Sequence, residues 1–430
     1  MNEHDSERMR GVLEENGWSP TADPEEADLL LFNTCSVRES AESRLLGRLG
    51  EARRLKNERP GRLIAIAGCF AQSRREDIFR DLPFVDIAFG PGDIGELAAL
   101  AETAAGSAPA SSFTFASAPS GGLPARRIDP YRAWVQVITG CTNFCSYCVV
   151  PGVRGPECSR PASDIVAEVE RLVAEGVVEV TLLGQNVNSY GLDLGGGWSF
   201  SSLLGMLDGI KGLRRIRFTT SHPKDLGDDL VDAMRDLPSV CEHLHLPVQS
   251  GSNRILSRMN RGYTREHYLE LVSGIYSCVP GVALTTDIII GFPGEKEEDF
   301  YRTMTLAAEC RYDGAFTFLY SPRPGTEAAD FPGRIPETTK KRRMQELVGL
   351  IQAMALAKNE GLVGSVEEVL IEGPSRHGEG LLRGRTRGNK IVNFSPFSSG
   401  LGAGDFADVN IESATSTTLK GVQTPPRAGD

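Results

Sequence analysis

Hydrophobic positions alternate between helical and strand periods along the first hundred residues. Residues 6–16 predict a helix, because Met9, Val12 and Leu13 share one face at helical spacing. Short apolar runs that end in small or polar residues predict buried parallel strands at 27–32, 63–67 and 85–89. Helical patterns separate these runs, so the segment predicts a doubly wound α/β domain.

A second series of strand and helix patterns begins at Tyr131. Its apolar runs predict strands at 134–138, 179–183, 214–219, 243–248, 284–290 and 315–320. The clearest helical patterns between them are at 163–175, 226–236 and 264–278. Six repeats of this kind predict a parallel sheet curled into a partial (β/α)6 barrel, with chemistry on the loops that follow the strands.

The C-terminal pattern changes from helix to strands. A basic helix is predicted at 338–362, and strands follow at 366–372, 381–387, 390–394, 406–411 and 416–421. Five short strands predict a small OB-like barrel. The expected division is an N-terminal α/β domain at 1–103, a linker rich in Ala, Ser, Pro and Gly at 104–126, a central barrel at 127–360, a β-barrel at 361–422 and a disordered tail at 423–430.

Composition indicates a soluble cytoplasmic protein. No apolar run approaches the roughly 18 residues that span a bilayer, and the first residues lack the apolar core of a secretion signal. We therefore expect no membrane contact, and we expect a monomer. In a reducing compartment, the nine cysteines argue against a disulfide framework. The clustering of Cys141, Cys145 and Cys148 predicts metal binding instead.

The net charge of −11 disfavours non-specific nucleic-acid binding, because a negative surface repels phosphates. A nucleic-acid function therefore needs a local basic surface. Residues 380–404 contain no acidic side chain but include Arg383, Arg385, Arg387 and Lys390. This segment supplies such a surface.

Three cysteines near the start of the predicted barrel are the most specific signal. Cys141, Cys145 and Cys148 have the spacing C-x3-C-x2-C in a loop directly after a predicted strand. Three thiolates suit three irons of a [4Fe–4S] cube and leave the fourth iron open to a small molecule. A zinc site would normally supply four ligands in C-x2-C pairs. Three buried structural thiols are the remaining alternative.

This loop, with Phe144 and Tyr147, resembles the cluster loop of the radical-SAM superfamily. The resemblance implies that Cys141, Cys145 and Cys148 hold a catalytic [4Fe–4S] cluster whose open iron binds S-adenosylmethionine. Reductive cleavage of that cofactor gives methionine and a 5′-deoxyadenosyl radical. The protein would then exclude water and aim the radical.

Longer motifs in the same order resemble the methylthiotransferases of that superfamily and cover nearly the whole chain. They are 33–39 (NTCSVRE), 68–69 with Gln72, 184–191 (GQNVNSYG), 220–223 (TSHP), 245–252 (HLPVQSGS), 291–295 (GFPGE) and 320–326. The first and third are most similar to the tRNA branch, which adds methylthio to isopentenylated adenosine beside the anticodon. The implied partners are the tRNA anticodon loop with its base extruded, an electron donor such as flavodoxin or ferredoxin, and iron–sulfur assembly or carrier proteins.

Carried over to this chain, the resemblance assigns Cys35 and Cys69 to a second, auxiliary [4Fe–4S] cluster that supplies sulfur. Both follow predicted strands, where open α/β sheets bind ligands, although isolated cysteines there are more often structural. The family's third auxiliary cysteine would lie two residues before Met1, and the chain starts in a helix rather than a central strand. We therefore expect that residues are missing before Met1 and that this chain lacks one auxiliary ligand.

The same resemblance predicts contacts to S-adenosylmethionine at the ends of later barrel strands. Residues 184–186 resemble the site for its methionine part, and 287–295 resemble the strand and turn that contact its adenine, where glycines allow close approach. The predicted contacts are Gly184, Gln185, Asn186, Gln249, Asp287, Gly291 and Glu295.

The C-terminal barrel resembles the TRAM RNA-binding module. This implies that Arg383, Arg385, Arg387 and Lys390 contact RNA phosphates, which would position tRNA without reading its sequence. A solvated basic face on a docking domain is the alternative.

Two further pairs have open interpretations. Arg154 and Arg160 follow the cluster loop, in a segment that borders the active site according to the resemblance. Each arginine would either pair with a carboxylate or phosphate there or form a surface ion pair. His243 and His245 alternate along a strand and share a face. Because no third ligand is near in sequence, packed side chains are favoured over a metal pair.

The rival functions keep the same chemistry on another acceptor, either threonylcarbamoyl adenosine of tRNA or an aspartate of a ribosomal protein. A rival from a different class is a non-catalytic iron–sulfur RNA-binding protein.

Overall fold

A computed structural model describes residues 1–34, 39–106, 108–115, 122–397 and 400–425. The chain forms an α/β sheet region, a partial barrel and a closed five-stranded β-barrel, in the predicted order. Among the described residues, no helix combines the length and the apolar character that crossing a bilayer requires.

The N-terminal region is a four-stranded parallel sheet in the order β1-β2-β3-β4. Its elements are α1 (Asn2–Glu15), β1 (Leu29–Asn33), α2 (Glu39–Glu58), β2 (Leu63–Ala67), α3 (Cys69–Arg74), α4 (Asp77–Asp81), β3 (Ile87–Phe89), a 3-10 helix (Pro91–Glu96), α5 (Leu97–Ala105) and β4 (Ala110–Ser112). Alternate residues of β2 face opposite ways: Ala65 packs toward α1 and α5, and Ile64 packs toward α2, α3 and α4. This confirms the doubly wound α/β prediction.

Two features of this sheet differ from the sequence expectation. Strand β4 lies inside the segment predicted as a linker, where Ala110 is buried and Asp93 accepts hydrogen bonds from the hydroxyls of Ser112 and Thr114. The prediction missed it because small polar residues carry little strand signal. In addition, every neighbouring pair of described strands is directly hydrogen-bonded, so the gap expected from a lost central strand is not found among them.

The central region contains six parallel strands arranged as two three-stranded sheets, β5-β8-β9 and β10-β11-β12. A bridge between Ile216 and Val240 links the two sheets, so the strands curl into the predicted partial barrel. The elements are β5 (Arg132–Gln136), β6 (Ile138–Thr139), α6 (Val150–Arg154), β7 (Cys158–Ser159), α7 (Ala162–Ala174), β8 (Glu179–Leu183), α8 (Phe200–Asp208), β9 (Arg215–Thr219), α9 (Asp228–Asp236), β10 (His243–His245), α10 (Asn253–Arg258), α11 (Arg265–Cys278), β11 (Ala283–Ile290), α12 (Glu297–Cys310), β12 (Gly314–Leu319) and α13 (Glu337–Glu360), with 3-10 turns at Val187–Ser189, Pro223–Asp225 and Glu327–Asp330.

The C-terminal region is a closed barrel in the order β13-β14-β15-β17-β16. Its strands are β13 (Val366–Pro374), β14 (Leu382–Thr386), β15 (Ile391–Ser395), β16 (Phe406–Ala414) and β17 (Thr418–Gln423). Val369, Ile371, Val392 and Phe394 fill its core. The five predicted strands are confirmed, with ends that differ by a few residues.

Candidate functional site

The three motif cysteines lie in one loop between β6 and α6. Gly140 opens this loop with φ 76°, and a Cβ there would lie 1.9 Å from the Pro156 carbonyl oxygen, so glycine is required. Cys145 is buried, whereas Cys141 and Cys148 are half-buried. The structure therefore brings all three predicted ligands into one protected loop.

The turn that ends α10 holds this loop in place. The Ser146 backbone N–H donates to the Met259 carbonyl oxygen at 3.1 Å, and its hydroxyl donates to the Arg258 carbonyl oxygen at 2.8 Å. Asn260 Nδ2 donates to the carbonyl oxygen of Phe144 at 2.9 Å. Phe144 has φ 46°, a left-handed conformation that a side-chain-bearing residue adopts only when its surroundings hold it there.

The three thiols interact electrostatically. Burial raises the pKa of Cys148 to about 12, and Cys145 and Cys141 add to that increase. Burial also raises the pKa of Cys141, with contributions from Glu157 and Cys145. Within the described ranges, no three His, Cys, Asp or Glu side chains converge on one point as a single metal ion requires.

A buried arginine that belongs to none of the sequence motifs approaches the loop. Arg261 Nη1 lies 3.4 Å from Cys145 Sγ and 3.4 Å from the Tyr147 hydroxyl oxygen. Its Nη2 donates to the Pro247 carbonyl oxygen at 2.9 Å, and its Nε donates to the Tyr263 hydroxyl oxygen at 3.1 Å. No spacing rule signals this contact, because Arg261 and Cys145 are 116 positions apart.

The predicted S-adenosylmethionine contacts 184–186 and Gln249 follow β8 and β10. Gln185, Asn186 and Gln249 each have a buried side-chain oxygen with no hydrogen-bond partner in the described part of the chain. Buried polar atoms rarely stay unpaired in folded proteins. These side chains therefore form a set that a polar ligand would satisfy.

His222 and Ser221, which follow β9, extend this set. Both have a buried side-chain atom without a partner among the described residues, His222 Nε2 and Ser221 Oγ. Burial lowers the pKa of His222 to about 2, and the charges of Arg261 and Lys224 contribute. Because Nδ1 accepts a hydrogen bond from the Lys224 backbone N–H, the neutral ring carries its hydrogen on Nε2 and offers a donor. The TSHP motif at 220–223 resembles the methylthiotransferases, but the resemblance assigned no role to Ser221 or His222.

Left-handed backbone conformations occur after three consecutive strands. Thr220 follows β9 with φ 70°, Gln249 lies beyond β10 with φ 68°, and Gly291 follows β11 with φ 77°. Two of the three are not glycine, so tertiary contacts hold them there. Such residues concentrate at ligand sites.

Glu295, Gly291 and Asp287 have different surroundings. The Glu295 carboxylate accepts hydrogen bonds from the Gly291 N–H at 3.0 Å and from Arg343 at 2.6 Å, so it closes the turn after β11. Burial raises its pKa against the opposing effect of Arg343. Asp287 Oδ1 lies 3.4 Å from His245 Nε2. A direct contact of these three residues with S-adenosylmethionine stays a prediction.

Cys69 begins α3 directly after β2 and is buried. Arg154 at the end of α6 is hydrogen-bonded to Cys69 and lies 2.6 Å from Asp5 Oδ2. The arginine therefore pairs with a carboxylate in the interior, not in a surface ion pair. Arg160 also pairs inside the chain, with Glu168. Cys35 lies outside the described residues.

Two of the four predicted RNA contacts lie between the C-terminal barrel and the central barrel. Arg387 pairs with Glu242 at 2.8 Å, and Lys390 pairs with Asp313 at 2.7 Å. Both carboxylates belong to the central region. These two cations therefore dock the barrels together.

The other two, Arg383 and Arg385, share the carboxylate of Glu372 at 3.2 and 2.8 Å. Arg132 of β5 also contacts Glu372 at 3.1 Å. Each of the four cations in the basic segment is thus paired with a carboxylate, which the sequence did not predict. RNA contact by the four residues stays a prediction.

Comparison with known proteins gives matches along the chain. The profile of the Radical SAM superfamily matches residues 135–307, that of the TRAM domain matches 361–423, and one described as Uncharacterized protein family UPF0004 matches 1–90. The chain is similar in fold to the radical S-adenosylmethionine methyltransferase TsrM from Kitasatospora setae, with a TM-score of 0.56, 16% identity, and coverage of 76% of this chain and 72% of that one.

Two relatives are similar over nearly their full length, and both are named tRNA-2-methylthio-N(6)-dimethylallyladenosine synthase. The relative from Moorella thermoacetica is 48% identical over 425 residues, which cover 98% of this chain and 95% of the relative. The one from Thermoanaerobacter sp. is 47% identical over 425 residues, covering 98% and 90%. With the three profiles in the same order, this similarity shows that the chain belongs to the radical-SAM tRNA methylthiotransferase family.

Proposed function

We propose that this protein transfers a methylthio group to C2 of N6-isopentenyladenosine next to the anticodon of tRNA. The observation that carries the proposal is the 48% identity over 98% of the chain to a relative named for this activity. The site supports it, because three buried or half-buried cysteines share one loop and unpaired polar atoms lie at consecutive strand ends.

Cys141, Cys145 and Cys148 would hold the catalytic [4Fe–4S] cluster, and the polar set around Gln185 and Asn186 would bind S-adenosylmethionine. The cluster, when bound, supplies the electron that cleaves the sulfonium of this cofactor. The residues of the chain hold the loop against α10, bury the thiols and offer hydrogen bonds at the strand ends. Such a site keeps water away from reactive species.

Members of this family use two [4Fe–4S] clusters. Cys69 would be a ligand of the auxiliary cluster together with Cys35. The similarity to relatives does not support the prediction that a ligand is missing from this protein. Iron and sulfide counts per chain would test the number of clusters directly.

The tRNA anticodon loop is the proposed partner, and the C-terminal barrel is the proposed RNA-binding module. An electron donor such as flavodoxin or ferredoxin, iron–sulfur assembly or carrier proteins, a cytoplasmic location and a monomeric state stay predictions. We also keep the domain boundaries 127–360 and 361–422 as a proposal, because family profiles match residues 135–307 and 361–423. The N-terminal domain predicted at 1–103 is extended to include β4, because β4 pairs with β3 of the N-terminal sheet.

The test uses anaerobically reconstituted protein with dithionite, S-adenosylmethionine and tRNA that carries isopentenyladenosine. We expect 5′-deoxyadenosine and a 2-methylthio nucleoside by mass spectrometry. Cys145→Ala should give neither, whereas Cys278→Ala, which changes a cysteine on α11, should give both. Unchanged 5′-deoxyadenosine from Cys145→Ala would overturn the role of the loop.

The same assay separates the alternatives. Methylthio transfer to threonylcarbamoyl adenosine or to a ribosomal-protein aspartate, without transfer to isopentenyladenosine, would replace the proposed acceptor. Intact clusters with no cleavage of S-adenosylmethionine would favour the non-catalytic iron–sulfur protein.

A further inference from the structure

We propose that Arg261 is a positioning residue that holds the sulfur of Cys145 and raises the reduction potential of the cluster in the cysteine loop. This inference rests on the proposed function, since it requires a [4Fe–4S] cluster on Cys141, Cys145 and Cys148. It adds a residue that no motif spacing indicates.

The guanidinium of Arg261 is held by groups from separate elements. Cys145 and Tyr147 come from the cluster loop, Pro247 lies beyond β10, and Tyr263 precedes α11. Arg261 itself is 5% exposed. A planar guanidinium with five donors in a rigid fork, bonded on several sides, has one orientation, so the N–H that faces Cys145 stays aimed at sulfur.

The charge of Arg261 has no carboxylate partner among the described residues. Its hydrogen-bond partners are a thiol, two hydroxyls and one carbonyl oxygen, and the ion pairs of the described chain do not include it. An uncompensated buried cation is strongly destabilising. Thiolates that bind iron would provide the missing negative charge, because Cys145 Sγ already lies 3.4 Å from Nη1.

A cube held by thiolates becomes more negative when it gains an electron. A fixed cation and an N–H···S hydrogen bond therefore stabilise the reduced state more than the oxidised state. This raises the reduction potential of the cluster and makes its reduction by an electron donor more favourable. Arg261 would act through Cys145 and would not touch the substrate.

Tyr147 connects this contact to the turn after β11. Its hydroxyl oxygen lies 3.4 Å from Arg261 Nη1, and its ring packs edge-on against Phe292, with 6.5 Å between the ring centroids. Phe292 belongs to the GFPGE turn predicted to contact the adenine. Arg261 thus orients the cluster loop relative to the rest of the barrel.

The test is an EPR-monitored redox titration of the anaerobically reconstituted full chain. Arg261→Met should lower the ratio of reduced to oxidised loop cluster about tenfold at a given potential, which is about 59 mV for one electron. Arg261→Lys keeps the charge but loses the fork, so its shift should be smaller. Arg265→Met, a control that loses an ion pair with Glu309 instead, should leave the potential unchanged.

Equal potentials in the natural protein and in Arg261→Met, at equal iron and sulfide content, would overturn the proposal. If Arg261→Met retains no cluster, the titration uses Tyr263→Phe instead. This variant removes the hydroxyl oxygen that accepts a hydrogen bond from Arg261 Nε. That variant should shift the potential in the same direction, and no shift would also overturn the proposal. A natural protein without a cluster at this loop would instead overturn the proposed function.

Discussion

Arg154 and Arg261 are both buried beside a predicted cluster cysteine, but their charges are handled differently. Arg154 is 8% exposed and lies 2.6 Å from Asp5 Oδ2 while it contacts Cys69. Arg261 is 5% exposed and contacts Cys145 with no carboxylate beside it in the described residues. The first cation is neutralised by the protein, and the second is left for a negative ligand. Burial of an arginine therefore does not reveal its role, but the presence or absence of a counter-ion does.

The two arginines also differ in the elements that they join. Arg154 joins three separate elements, since Asp5 lies in α1, Cys69 begins α3 and Arg154 ends α6. We interpret this pair as a structural link between the N-terminal sheet and the central barrel. Arg261 instead joins segments within the central barrel, namely the cluster loop, Pro247 beyond β10 and Tyr263 before α11.

The largest expected effect separates the two cysteine regions. Cys145→Ala should reduce 5′-deoxyadenosine formation by more than roughly 100-fold, because it removes a proposed ligand of the catalytic cluster. Loss of a residue that only hydrogen-bonds to a metal ligand costs up to roughly 100-fold. Cys69→Ser should leave 5′-deoxyadenosine formation largely intact and abolish the methylthio product, because it removes a proposed ligand of the auxiliary cluster. Mass spectrometry of nucleosides measures the methylthio product, and chromatography measures 5′-deoxyadenosine. Normal product from Cys69→Ser would remove Cys69 from the site.

The next effect concerns the Arg154–Asp5 pair. Burial acts to raise the pKa of Asp5, but the Arg154 guanidinium outweighs it and holds that pKa below its ordinary value. Asp5→Asn leaves a buried cation unpaired and should lower the free energy of unfolding by about 3–5 kcal/mol. Pulse proteolysis in urea measures it. Arg10→Gln, which loses an exposed pair on the same helix, should cost less than about 1 kcal/mol; equal losses would refute the structural link.

A third effect is the pH dependence that His222 contributes. Its pKa is lowered from 6.5 to about 2 in the folded protein, by burial first and then by Arg261 and Lys224. Below about pH 6.5 the unfolded chain gains a proton that the folded chain does not, so stability falls as pH falls, by about 1.4 kcal/mol per unit. His222→Gln should flatten the curve of unfolding free energy between pH 7.5 and 5.5. An unchanged slope would contradict a neutral His222.

The smallest expected effect concerns Arg387, a third cation that is paired with a carboxylate. Because it pairs with Glu242 at the junction of the barrels, Arg387→Gln should cost about 1 kcal/mol of stability. The salt dependence of tRNA binding should stay unchanged if Arg387 only docks the barrels. A salt slope lower by about one would instead support the predicted phosphate contact. Filter binding over a range of salt concentrations distinguishes the two.

Much of the fold was predictable because its signals are local. The buried run that became β2 is uniformly apolar, so it predicted a strand with the observed bounds. The strand predicted at 179–183 also has the observed bounds of β8, although Glu179 and Thr181 interrupt its apolar positions. Strand β4 was missed because Ala110 is buried by its neighbours and not marked by its own residue type. The basic segment was read from charge alone, and the structure paired it with Glu372, Glu242 and Asp313.

By itself, the sequence determined the order of three folded regions and a cluster loop, because apolar periodicity and the C-x3-C-x2-C spacing act between near neighbours in the chain. Only the tertiary structure decided which charges meet. Arg261 and Cys145 are 116 positions apart, and Arg154 and Asp5 are 149 positions apart. Contacts over such separations arise when whole elements pack, so no local pattern of residue types encodes them.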